Sequence, residues 1–131
     1  MNWNRVFIFS GILILGANFA AFPFGFIQGS YISHGNPAPA WIPFATAMSV
    51  QSASIIIFLV LAIKQANNSW IHAITVAVLT WLISFPLNVL VFHVAFLSWI
   101  YSGVYILITC YIGTATGVLI RNKIQNKSMN K

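Results

Sequence analysis

This sequence holds no aspartate, no glutamate and a single cysteine, Cys110. Each absence removes a class of chemistry. Without carboxylate side chains there is no paired general acid and base and no carboxylate metal site. An intramembrane acid of the kind that couples transport to protons or sodium is missing too. So is the phosphate-binding run G-x-x-x-x-G-K-[ST]. One thiol cannot close an internal disulfide, and Cys110, on the border of the small-residue face of the fourth helix, reads as inert packing. His34 and His93 fall on one side of the expected threading, but two ligands without a third make no metal site, and no two mid-helix histidines offer a haem pocket. The expectation is a non-catalytic protein with no cofactor, metal or catalytic residue.

Charge of either sign is scarce. Charged residues make up 5% of the 131 and hydrophobic residues 60%, where a soluble domain carries about a quarter charged. Such a chain needs lipid as its solvent. A bilayer core about 30 Å thick asks for about 20 apolar residues per helix. Four windows qualify, at about 6–27, 41–63, 70–92 and 99–120, followed by a basic tail at 121–131. A barrel would show alternating strands of about ten residues, and these runs are continuous. The predicted fold is an all-α membrane protein with four transmembrane helices in a compact bundle, a single integral membrane domain over 1–131. The first window is too long for a signal-peptide core and lacks an A-x-A site, so it reads as an uncleaved helix.

The few cations set the threading. Arg5, Lys64, Arg121, Lys123, Lys127 and Lys131 all fall on one side of a four-span chain. Positive charge in short flanking segments is retained in the cytoplasm, so both termini are expected there, as in a bacterial cytoplasmic membrane. Trp3, Trp41, Trp70 and Trp99 lie at span ends, where indole rings rest among headgroups, and Trp81 lies mid-helix. A formal charge of +6 spread along membrane fringes forms no compact face for nucleic acid. The expected partners are membrane lipids and a membrane-protein partner or a second copy. The tail chiefly sets topology, with an attraction to anionic lipid of about 1 kcal/mol per cation as the other reading. Acceptors for glycosylation at Asn67 and Asn126 would face the cytoplasm unused.

Helical phase sorts the remaining polar residues. Ala73, Ala77, Thr80, Trp81, Ser84 and Asn88 share one face of the third helix, away from Leu82, Ile83, Leu87 and Leu90. On the fourth, Thr109, Gly113, Thr116 and Gly117 oppose Ile108, Tyr111, Ile112 and Leu119, and on the first Gly11, Asn18 and Gly25 align. Small residues let helices approach in lipid, and Gly113-x-x-x-Gly117 and Gly25-x-x-x-Gly29 are spaced for it. The second helix is small or polar at nearly every angle from Ala45 to Ser54, so that half must be enclosed or border a cavity.

Pro23 and Pro86 each follow a phenylalanine at similar depth in the first and third helices. Both are expected to kink their helices, freeing the carbonyls of Phe19 and Leu82, with Asn88 a local partner for the latter. The matching depth suggests two repeated helical hairpins. At mid-depth Asn18, Gln51, Ser52, Thr80, Trp81 and Thr109 make an intramembrane polar patch. It serves either as hydrogen-bonding glue between helices or as a site for a neutral solute. The leading expectation is a non-catalytic accessory or interaction protein of the membrane. The alternatives are a small homo-oligomeric transporter or channel for an uncharged or hydrophobic solute, and an immunity-type membrane protein.

Overall fold

The computed structural model describes residues 2–91 and 93–129. Its elements are α1 (Trp3–Ser33), α2 (Trp41–Lys64), α3 (Ser69–Phe85), a π-helical turn (Pro86–Val91) and α4 (Phe96–Met129), with no strand among the described residues. Counting the turn with α3, all four helices are long and apolar enough to cross a membrane.

The helix ends depart from the hydropathy windows for local reasons. Asn2 caps α1, its side chain accepting the Arg5 N–H. At the other end α1 runs past residue 27 to Ser33, where Gly35 takes a left-handed φ of 73°. There the Gly35 N–H donates to the Ile32 carbonyl and the Asn36 N–H to that of Tyr31. This is a Schellman cap, which satisfies two otherwise orphaned carbonyls. The tail stays helical as far as Met129, for it contains neither glycine nor proline to stop α4.

The two prolines behave differently. Pro86 has no N–H to continue α3, and the chain widens into the π-helical turn. Asn88 donates from Nδ2 to the Ser84 carbonyl at 3.0 Å, and not to the expected carbonyl of Leu82. Pro23 sits inside α1 without interrupting it. Beside the carbonyl it frees on Phe19, the Ala20 carbonyl accepts the Ser49 hydroxyl of α2 at 3.1 Å. The hairpin repeat therefore gains no support from the backbone at these sites. The expected end of the third span at Phe92 lies outside the described residues, as does Lys131.

Packing concentrates at one end of the bundle. α2 lies against both α1 and α4, whose own backbones stay further apart among the described residues. Val6, Phe9 and Leu13 of α1 meet Phe58 and Leu61 of α2, Val76 and Ala77 of α3, and Cys110 of α4. The closest approach is between α2 and α4. A Cβ at Gly113 would stand 2.5 Å from the Ile55 carbonyl oxygen, and one at Gly117 2.6 Å from that of Leu59. Those glycines let two backbones come into direct contact. Gly11, Gly25 and Gly29 have nothing within 4 Å of a built Cβ, so the second spaced pair is not a contact within this chain.

The same end gathers the cations. Arg5 Nη1 donates to the Lys64 carbonyl (3.1 Å) and to Gln65 Oε1 (2.7 Å). Arg121 Nη1 donates to the carbonyls of Ala62 (3.0 Å) and Gln65 (2.9 Å) and to Ser69 Oγ (2.9 Å). The last carbonyls of α2 carry its negative dipole end, and here they stand in for absent carboxylates. Buried His72 joins the N-terminus to α3: its Nε2 accepts the Asn2 N–H at 3.0 Å while Nδ1 faces the Asn68 carbonyl.

Gly113→Ala should destabilise the protein by about 1–3 kcal/mol, because backbone atoms cannot yield to the new methyl. Gly25→Ala should stabilise it by up to about 1 kcal/mol, the intrinsic helix preference of alanine. Thermal melting in detergent micelles checks both, and equal effects at the two glycines would contradict this packing.

Candidate functional site

Beyond the packed end the helices part around a cavity of about 750 Å³. All four contribute to its wall: Leu13, Ala17 and Asn18 from α1, Met48, Gln51 and Ser54 from α2, Thr80, Trp81 and Ser84 from α3, and Ser102, Tyr105 and Thr109 from α4. Five of the six patch residues expected from the sequence, Asn18, Gln51, Thr80, Trp81 and Thr109, meet here. Ser52 does not. It is exposed on the outer surface of α2, because a step of one residue turns the side chain through about 100°. Ser54, three positions on from Gln51, takes its place on the inward face. As expected, the small, polar half of α2 borders a cavity.

Trp81, on one wall, is backed by a second indole. Trp81 and Trp99 stack with centroids 4.2 Å apart and planes 7° from parallel. Each indole donates to the other's backbone: Trp81 Nε1 to the Trp99 carbonyl at 3.1 Å, Trp99 Nε1 to that of Trp81 at 3.3 Å. Trp99 also reaches Ser84 Oγ at 3.2 Å, and Phe85 meets its ring edge-on. Trp99 is therefore a buried packing residue and not the headgroup anchor its position suggested. A built Cβ at Gly103 would lie 2.9 Å from the Trp81 ring, so this glycine makes the room for it. Glycine next to a mid-helix tryptophan in space leaves no mark in sequence. On the far side of Trp81 a smaller groove of about 230 Å³ is lined by apolar residues such as Ala77, Ile100 and Leu107.

The hydrogen-bond pattern sets what the cavity can hold. Asn18 Nδ2 donates to the Ile14 carbonyl of its own helix, Ser54 Oγ to Val50, Thr109 Oγ1 to Ile106 and Ser102 Oγ to Trp99. Such back-bonding uses each donor locally and leaves the oxygen lone pairs facing inward as acceptors. Gln51 has no partner among the described residues for its carboxamide. The Thr80 hydroxyl is buried, with the residue 7% exposed, and is likewise unpartnered. Apart from the Trp81 pair, none of the five patch residues bonds across to another helix among the described residues.

Among the described residues no lysine, arginine or histidine lines the cavity. An ionised ligand would meet no counter-charge there, and burying an unpaired charge is prohibitive. The outer histidines stand apart from it: His34 Nδ1 lies 2.7 Å from the Ser30 carbonyl of α1, and His93 is exposed with φ 52°. Comparison with family models, with curated proteins and with solved structures finds no match to this chain. The site is read from its own chemistry.

An unpaired buried hydroxyl costs about 1–3 kcal/mol. Thr80→Val keeps the shape and removes the hydroxyl, so it should raise the stability of the empty protein by about 1 kcal/mol. Thermal unfolding in micelles measures this, and a clear loss of stability would mean that the hydroxyl has a protein partner.

Proposed function

We propose that this chain is a non-catalytic, multi-pass integral membrane protein that binds an uncharged, largely apolar molecule carrying a hydrogen-bond donor, such as an alcohol or amide. The observation that carries this reading is the unspent polarity of the cavity. Gln51, on the cavity wall, has no partner among the described residues, while the hydroxyls beside it offer acceptors and no charge. A volume of about 750 Å³ suits one ligand of moderate size. Interhelical glue would instead spend these groups across helix contacts. The cavity favours ligand binding over a purely structural accessory role. A holder of this kind is an accessory protein when it presents its ligand to a partner, and a carrier when it passes the ligand across the membrane. Cation placement supports the basic end as cytoplasmic, in a bacterial cytoplasmic membrane. Reporter fusions at the two ends test that threading: both should report the cytoplasm, and opposite compartments would overturn it.

Ligand binding is tested in phosphatidylcholine nanodiscs, with Trp3, Trp41 and Trp70 changed to Phe so that the cavity pair reports. A brominated long-chain alcohol should quench that fluorescence saturably, and its quaternary-ammonium analogue should not. Gln51→Leu should weaken quenching about tenfold, the worth of one or two hydrogen bonds. Equal quenching by the cationic analogue, or an unchanged Gln51→Leu, would contradict the reading. Flux of the alcohol in liposomes then separates a carrier from a holder.

A further inference from the structure

A second site stands apart from the cavity, at the basic end. We infer that Arg5 and Arg121 together hold the phosphate of an anionic phospholipid. The two guanidinium groups converge on one residue, Arg5 on the side-chain oxygen of Gln65 and Arg121 on its carbonyl. Two cations held on the same residue repel each other, and an anion beside both relieves that repulsion. No acidic side chain exists anywhere in the chain to supply one. The carbonyls at the end of α2 provide only partial negative charge. Neutralisation must come from outside the protein.

The geometry leaves the means to bind it. Among the described residues, every hydrogen bond from the two guanidinium groups uses Nη1. Nη2 and Nε of each arginine stay available, and a guanidinium edge matches two phosphate oxygens at once. The carbonyl collar fixes both stems, so little freedom is lost when a phosphate docks. Depth identifies the source of that phosphate. Trp3 and Trp70, both exposed, flank Arg5 and Ser69 at the level where indole rings mark the headgroups. Exposed Lys64, at the end of α2, adds a further cation to the same rim. A lipid phosphate resides at that level permanently, whereas a free phosphate must be drawn from solution.

The test uses the whole protein in phosphatidylcholine nanodiscs doped with phosphatidylglycerol, read by native mass spectrometry for retained lipid and by melting temperature. Wild type should retain phosphatidylglycerol and melt higher with it, while inorganic phosphate or soluble glycerol phosphate gives no such shift. Arg5→Gln with Arg121→Gln keeps an amide donor for the carbonyls and should fold in pure phosphatidylcholine. Its retention of the anionic lipid should fall about thirtyfold, from two interfacial cations at about 1 kcal/mol each. Lys123→Gln with Lys127→Gln, further along α4, should change retention by less than about threefold. If the glutamine pair does not fold, Arg5→Lys with Arg121→Lys keeps the charge and loses the fork, and should retain less lipid than wild type. Equal losses from the two double variants, full retention by the lysine pair, or an equal shift from soluble phosphate would each overturn the proposal.

Discussion

Helices in lipid gain nothing from hiding apolar surface, so this bundle depends on how near two backbones can come. At Gly113 and Gly117 that distance reaches contact, with the Ile55 and Leu59 carbonyls where any larger residue would place a methyl. The rest of the packed end is arranged around this junction. Phe58 and Leu61 of α2 reach α1 and α3 across it, and Cys110 closes the layer. One to two turns toward the other end, α2 and α4 carry Val50, Gln51, Tyr105 and Ile106, and the same pair of helices bounds a cavity. A close contact at one end and bulky residues at the other leave a gap between the two helices.

The second constraint is the missing acid. Every cation must find partial charges or go outside the protein. Arg5 and Arg121 take the carbonyl end of α2, which fastens the first and last helices to the loop between the middle two. This explains how a chain whose α1 and α4 backbones stay apart among the described residues keeps both beside the same turn. It also separates the molecule chemically. Among the described residues the lysines and arginines gather at one end, and the cavity toward the other end is lined by neutral groups. The proposed neutral-ligand site and the proposed headgroup site therefore draw on different groups.

Much of the architecture was legible beforehand. Composition demanded four spans, and helical phase put Ala73, Ala77 and Thr80 inside while leaving Leu82 and Leu90 outside. Five of six patch residues converged because mid-depth polar positions on one face of each helix have nowhere else to go. What failed depended on neighbours. Gly25 and Gly29 have the same spacing as Gly113 and Gly117, yet no helix lies close enough to meet them. Trp99 opens a span as Trp41 and Trp70 do, but only Trp99 finds an indole opposite it. Ser52 and Gln51 are adjacent, and phase errors of one residue cannot be removed without knowing where the partner helix sits. Hydropathy windows measure oil and not hydrogen bonding, so they missed the Schellman cap after Ser33 and the helical tail.

One end of the bundle is sealed by backbone contact, and the other borders a neutral cavity of mixed apolar and polar lining. Single cysteines in a Cys110→Ser background measure it most directly, using a small water-soluble thiol reagent on the protein in nanodiscs. A cysteine at position 51 should react, while one at 52 on the outer surface and one at 76 in the packed layer should stay silent. Reaction at 52 or 76 with none at 51 would contradict the account.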